Sequence, residues 1–234
     1  MKLLRDGIRG AEENMRLDAA LLGAIGGESE VSVRFYEWKR PSITYGHFVR
    51  PEDYLDMTQV EAFGIDLAKR PTGGGLVFHM WDMAFSVLVP KAYMRSTMEN
   101  YFLINESVRR SVDEFMGMNG LLLIPEDMEA FDGACARFCM ARPTKYDVVL
   151  HGKKIAGAAQ RKTKEGFLHQ GTIALQLPDS ALLDAILLPG TRIKEAMYAS
   201  TYPLLENVRM TKTQVQLALE QLFCSYLQQS LSLV

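Results

Sequence analysis

Apolar residues recur at helical spacing through residues 9–25, where Met15, Leu22 and Ile25 share one face. The pattern predicts a helix from about Arg9 to Ile25 that Gly26 and Gly27 stop. Val31 to Trp38 then reads as a strand, and Ser42 to Tyr45 as a second one after Pro41. Pro51 suits the first turn of a helix reaching about Phe63. Ile65 to Lys69, Leu76 to His79 and Met83 to Val89 are three further strands, the first of which leads into a run of glycines. A long helix is predicted over Thr97 to Met116 and a buried strand over Leu121 to Ile124. Residues 125–144 have no period and hold two cysteines, which marks them as a candidate active-site loop. Tyr146 to Leu150, Lys154 to Gln160 and Leu168 to Leu175 follow at hairpin spacing, with His151 and Gly152 in the first turn. Asp179 to Leu187 is a short helix. The last helix opens on Thr211 and Gln214, spaced as a capping box, and carries Val215, Leu219, Leu222, Phe223, Tyr226 and Leu227 as its buried stripe. Strands and helices are segregated rather than strictly alternating. The expected fold class is therefore α+β, a mostly antiparallel mixed sheet flanked by helices.

Composition narrows the function classes. With no linker, repeat or low-complexity tract, residues 1–234 are read as one domain, and 48% apolar residues suffice for a sizeable core. A net charge of -2 gives no electrostatic footprint for nucleic acid. No apolar run approaches the length of a membrane span, and the N-terminus lacks the apolar centre of a signal peptide. Three cysteines, Cys135, Cys139 and Cys224, do not make a disulfide framework. The expectation is a cytoplasmic protein with free thiols and neither nucleic-acid nor membrane partners.

Three stretches carry candidate chemistry. In RPTGGGLVFH, Arg70 to His79, the triplet Gly73, Gly74 and Gly75 lets the backbone turn tightly and approach a ligand with no Cβ in the way. Its free N–H groups suit a carboxylate or phosphate, although the glycines alone equally suit a surface hairpin. In YDVVLHGKKIAGAAQRK, Tyr146 to Lys162, the adjacent Lys153 and Lys154 point to opposite faces of a strand. Lys154, followed by Ile155 and the small residues Ala156 to Ala159, is the one expected to face a pocket and bind an anionic oxygen as a point charge. In GFLHQGTIAL, Gly166 to Leu175, His169 and Thr172 flank Gly171, and the histidine suits a structural role better than that of a base.

Together these stretches resemble the lipoate–protein ligase and octanoyltransferase family, which shares its catalytic fold with biotin–protein ligases. NMRLDAAL (Asn14 to Leu21) is similar to that family's N-terminal helix, and FYEWKRPSITYGHF (Phe35 to Phe48) to its tryptophan–proline–glycine strand pair. RPTGGGLVFH resembles its lipoate-binding loop, and GKKIAGAAQRK and LHQGTIAL its lysine and histidine–glycine–threonine strands. In the ligase branch the resemblance implies that lipoate attacks the α-phosphate of ATP. The acyl-adenylate then passes to a lysine of a lipoyl domain, in 2-oxoacid dehydrogenase complexes or the glycine cleavage H protein. Carried over by position, Arg70, the glycine triplet and the Gly75, Leu76, Val77, Phe78 backbone up to His79 would hold ATP and the adenylate. Lys154 would contact the acyl carbonyl oxygen and the phosphate, and Asp147 the nucleotide or its Mg2+. The strand bearing Gly157 would line the acyl tunnel, with His169, Gly171 and Thr172 beside it.

Two features point to different reactions. Cys139 opens CMARPTKYD, which resembles the octanoyltransferase segment whose cysteine takes an acyl group from acyl carrier protein as a thioester, without ATP. A nearby ammonium such as that of Lys154 would raise its thiolate fraction. Cys135 and Cys224 are read as unreactive. Gly75, in contrast, is the ligase form of the loop, where the transferase branch usually has arginine, and Met80 stands where both branches tend to have aspartate. The chain leaves no room for the C-terminal accessory domain of the best-known ligases, so a separate accessory chain would supply it or the protein works without one. Lipoate–protein ligase is the reading taken, with octanoyl transfer through Cys139 as the alternative and a non-catalytic lipoate- or nucleotide-binding relative as a second one.

Overall fold

The computed structural model describes residues 1–27 and 29–232. In chain order its elements are β1 (Lys2–Arg9), α1 (Ala11–Gly23), β2 (Ser32–Trp38), β3 (Ser42–Tyr45), α2 (Met57–Ala62), β4 (Asp66–Lys69), β5 (Leu76–His79) and β6 (Asp82–Pro90). They continue with α3 (Thr97–Met116), β7 (Leu122–Leu123), β8 (Val148–Leu150), β9 (Lys153–Lys162), β10 (Gly166–Ala174), α4 (Ser180–Ile186), α5 (Ile193–Ser200) and α6 (Lys212–Ser232). A seven-stranded sheet runs β1-β2-β6-β10-β9-β8-β7, and a three-stranded sheet runs β4-β3-β5. Only β1–β2 and β3–β4 pair in parallel, so the mixed, mostly antiparallel sheet expected from the sequence is the one observed.

β6 explains why the large sheet is a two-sided layer. All nine of its residues are buried. Met83, Phe85, Val87 and Val89 point to one side, into a core shared with Ile104, Val108 and Val112 of α3 and Val215, Leu219, Phe223 and Leu227 of α6. On the other side, Ala84 and Leu88 pack with Met15 and Leu22 of α1. Each large apolar side chain buried this way contributes about 1.5–3 kcal/mol. A second core lies under the small sheet, where Ile43, Leu76 and Phe78 meet Phe138, Met140 and the helices α4 and α5. The long helix α3 begins on a Ser96–Glu99 capping box and stops at Gly117, at φ 60°. At the start of α6, Thr211 and Gln214 cap one another reciprocally, as their spacing predicts.

Several elements differ from the sequence expectation. The helix expected from Pro51 to Phe63 is broken into a 3₁₀ turn, Pro51–Asp53, and α2, because the Asp56 side chain accepts from the Thr58 and Gln59 N–H groups and starts a new helix. The buried strand expected over Leu121 to Ile124 shrinks to the two-residue edge strand β7, in which Leu122 is exposed. β1 was not expected, and Arg9 belongs to it rather than to α1. As an edge strand it is mostly solvated and shows no apolar alternation. α5 was likewise absent from the sequence reading. No helix among the described residues is long and apolar enough to cross a membrane.

Candidate active site

A cavity of about 270 Å³ is walled by residues of both sheets, of α1 and of the irregular segment that carries Cys139. That size lies at the small end for ligand sites and suits a short acyl chain. Met15, Tyr36, Val77, Met140, Ala158 and Ala159 give it apolar surface, while Arg70, Cys139 and Lys154 bring chemistry to the same wall.

The glycine loop is stapled from within. Arg70 is buried, and its Nη1 donates to the Thr44 carbonyl and hydroxyl oxygens, both at 2.8 Å. Its Nη2 donates to the carbonyls of Gly73 (3.0 Å) and Gly75 (2.8 Å). The backbone of Leu76–His79 is paired along its length with Ser42–Tyr45. The Arg70 guanidinium, which the resemblance assigned to a nucleotide, is therefore engaged with the protein itself. Burial lowers the Arg70 pKa from its ordinary value, and the facing Cys139 is the strongest opposing influence.

Gly75 has a different purpose from the one its ligase-like identity suggested. A Cβ there would stand 2.0 Å from the Arg137 carbonyl oxygen. The missing side chain admits residues 137–139, so that Leu76 bridges to Phe138 and the Cys139 N–H donates to the Leu76 carbonyl at 3.0 Å. Glycine at this position seats the cysteine segment and is no mark against thioester chemistry. Gly75→Ala is expected to destabilise the protein by about 1–3 kcal/mol through overpacking against backbone that cannot swing aside. Urea unfolding would show this as a lowered midpoint, and an unchanged midpoint would refute the close-approach account.

The strand pair β8–β9 places Lys154. His151 and Gly152 turn the hairpin with φ of 50° and 77°. Lys153 is then exposed while Lys154 is buried, pointing to the opposite face. The Lys154 ammonium donates to Asp147 Oδ2 at 2.7 Å. The same oxygen accepts from the Thr144 N–H (2.6 Å) and hydroxyl (2.9 Å). Burial pushes the Asp147 carboxyl up, and Lys154 and Thr144 pull it back. Gly157 makes room for the pair, since a Cβ there would stand 2.5 Å from both Lys154 Nζ and Asp147 Oδ1. Lys154 is also tied to the cysteine segment: its carbonyl accepts from the Tyr202 N–H at 2.9 Å, and the neighbouring Thr201 hydroxyl donates to the Met140 carbonyl at 2.8 Å. The cation facing Cys139 is thus Arg70, whereas the nearby ammonium expected from the sequence is paired with Asp147.

Among the described residues, no three His, Cys, Asp or Glu side chains gather where they could hold a metal ion. Asp147, the residue implied to lie near Mg2+, already receives three donors on one oxygen. The set does not fit a dedicated metal site.

The remaining expected residues separate by face. Thr172 lines the cavity and donates to Asp82 Oδ2 at 2.6 Å. His79 also lines it, held between Asp82 and Thr44 and stacked 4.0 Å from the Trp38 ring. His169 lies outside the cavity wall, on the side of β10 opposite Gln170 and Thr172, fully buried beside Phe85, whose ring fills the space above Gly171. Gln160 donates to its Nδ1 at 2.9 Å, and its Nε2 has no partner. Burial lowers its pKa to about 3. The folded protein therefore binds fewer protons here than the unfolded chain between about pH 6.5 and about pH 3, so stability is complete above that window and falls as pH drops through it. From about pH 7 to about pH 5.5 this group alone is expected to remove on the order of 1 kcal/mol. Unfolding free energies of wild type and His169→Gln at the two pH values check this: equal pH slopes would refute it.

The sequence reading missed a buried polar network on the other wall. Asp18 Oδ1 accepts from Arg34 at 2.8 Å, and its Oδ2 from Ser86 and Gln170, both at 2.6 Å. Gln170 Oε1 in turn accepts from the Thr72 hydroxyl at 2.7 Å, which ties the glycine loop to α1 through the sheet. Burial raises the Asp18 pKa, with Arg34 as the chief counterweight. A signal was present: Asn14 and Asp18 occupy the same helical stripe as Ala11, Met15 and Leu22, where a polar residue needs a buried partner.

Residues 10–217 match the family model described as "Lipoyl protein ligase A/B catalytic domain". A relative named octanoyltransferase LipM, from Exiguobacterium sp., is 33% identical over 201 residues, covering 83% of this chain and 72% of its own. Among solved structures, protein Ta0514 from T. acidophilum with bound lipoic acid aligns with a TM-score of 0.73 and 26% identity, covering 97% of this chain and 86% of its own. A lipoate-protein ligase A bound with ATP aligns with a TM-score of 0.73 and 25% identity, covering 97% and 85%.

Proposed function

The chain belongs to the lipoyl protein ligase A/B catalytic domain family, and from that premise we propose that it is an octanoyltransferase acting through Cys139. One observation carries the choice of reaction. The Arg70 guanidinium, which the ligase reading reserves for a nucleotide, is bonded to the Thr44, Gly73 and Gly75 carbonyls, and Cys139 stands at the cavity wall facing it. The likeness to octanoyltransferase LipM supports the same choice.

The reaction runs in two steps. The Cys139 thiolate attacks the carbonyl carbon of an octanoyl thioester on acyl carrier protein, and a C–S bond forms. Collapse of the tetrahedral oxyanion breaks the bond to the carrier sulfur, which leaves as a thiolate and takes up a proton. The amine of an acceptor lysine on a lipoyl domain then attacks the acyl-cysteine. An amide forms, the Cys139 thiolate departs and the amine loses its proton. The buried Arg70 guanidinium faces the sulfur before the first step and after the second. Lys154 supplies positive charge where the oxyanion grows, as the family resemblance implies. The apolar wall from Met15 to Ala159 takes the acyl tail.

ATP-dependent lipoate ligation is the second reading, favoured by the likeness to a ligase bound with ATP. Octanoyl-carrier protein plus an apo lipoyl domain, without ATP, should give an octanoylated domain by mass spectrometry. Lipoate with Mg-ATP should release no pyrophosphate. Pyrophosphate release together with no transfer from the carrier would replace the transferase reading with the ligase one.

A further inference from the structure

The wall behind the glycine loop holds a line of hydrogen bonds that the reaction above does not use. Asp82 Oδ2 lies 2.7 Å from His79 Nδ1, and His79 Nε2 lies 2.7 Å from the Thr44 hydroxyl. Arg70 Nη1 lies 2.8 Å from that hydroxyl oxygen. Beyond Arg70 comes the cysteine: the point beside Gly74 that a Cβ would occupy is 3.2 Å from Arg70 Nη2 and 3.8 Å from Cys139 Sγ. Asp82, His79 and Thr44 are all buried, and Thr44 and His79 also line the cavity.

The proton positions follow from the chemistry of the ends. Arg70 only donates, so the Thr44 oxygen accepts from it and the Thr44 hydrogen is free to go elsewhere. Burial opposes the charge on Asp82, but His79, Thr172 and Lys212 outweigh it and hold the carboxyl below its ordinary value. A carboxylate only accepts, so His79 Nδ1 carries a proton toward it and Nε2 presents its lone pair to Thr44. Every member then points its donor the same way, from Arg70 toward Asp82.

We propose that Thr44, His79 and Asp82 are positioning residues that fix the Arg70 guanidinium against Cys139. The proposal rests on the reading of Cys139 as the acyl-accepting thiol. With φ at 95°, Met80 turns the chain so that Asp82 reaches back, takes the Met80 N–H at 3.2 Å and faces His79. The charged and titratable groups facing Cys139 are Arg70 and Tyr101 directly, with the Lys154–Asp147 pair and the Arg142–Asp127 pair on the same cavity. Of these, only Arg70 touches Thr44.

The test reads the thiol itself. Iodoacetamide alkylation of Cys139 is followed by peptide mass spectrometry across a pH series. Cys135 stays silent, because burial pushes its thiol up to about 12. Thr44→Val keeps the shape but removes the hydroxyl, and His79→Phe keeps a ring against Trp38 but removes both nitrogens. Both should move the alkylation midpoint up by about one pH unit, the size of effect of one misplaced opposite charge. Thr44→Ser should return it to the wild-type value. Unshifted midpoints in Thr44→Val and His79→Phe overturn the proposal. Shifted midpoints in the two variants, together with a wild-type Cys139 that accepts no octanoyl group, overturn the transferase reading and uphold the positioning role.

Discussion

Cys139→Ser should lower octanoyl transfer by roughly 10⁴-fold or more, the scale of loss when a covalent nucleophile is removed from an enzyme that depends on it. A serine hydroxyl in the same place is a weak nucleophile at neutral pH, and the guanidinium that favours a thiolate does not ionise it. The substitution is nearly isosteric and leaves the Cys139 N–H bond to Leu76 intact, so folding should be preserved. Intact-mass measurement after mixing with octanoyl-carrier protein should show an acyl adduct on wild type and none on the variant. A Cys139→Ser protein that retained most of its transfer activity would remove the cysteine from the mechanism. If it also consumed ATP, the ligase reading would take its place.

Lys154→Ala should lower turnover by about 10²–10³-fold, the range for deleting one donor to a developing oxyanion. The loss has two sources, the missing positive charge and the exposure of Asp147 as an unpaired buried carboxylate. Removing one partner of such a pair costs about 3–5 kcal/mol of stability. The double change Lys154→Ala with Asp147→Asn separates the two, because it should recover much of the stability without recovering turnover. Thermal unfolding and single-turnover deacylation, measured on both variants, check the split. Near wild-type turnover in the double variant would show that Lys154 acts only as a structural partner.

The periodic parts of the fold were legible because burial writes itself into the chain. β3, β5 and α3 fall on the residues their patterns predict. β1 and β7 were not legible in the same way, since edge strands are held by one neighbour and need not alternate. At the site, the burial of Lys154 was readable from strand alternation, whereas Cys139 was singled out from the aperiodic segment only by the resemblance of CMARPTKYD to the octanoyltransferase segment. The role of Gly75 was not readable. A glycine that admits a ligand and one that admits another stretch of backbone look identical until the neighbour, here Arg137, is placed. The partner of Arg70 was hidden for a similar reason, because 69 positions of chain separate a guanidinium at the end of one strand from a cysteine in a loop, and only tertiary packing brings them to the same glycine.

The attachment of the cysteine segment has a further consequence. Arg70 sits at the end of a paired strand, and Lys154 lies within one. Cys139 instead sits in a loop that borrows its place through the Leu76 and Met140 carbonyls and the bare face of Gly75. The two cations are thus properties of the scaffold, and the nucleophile is a detachable part. Within such an architecture, exchanging residues 124–147 between β7 and β8 would replace the nucleophile, Asp147 and the Arg142–Asp127 pair together, while the sheets, Arg70 and Lys154 keep their places.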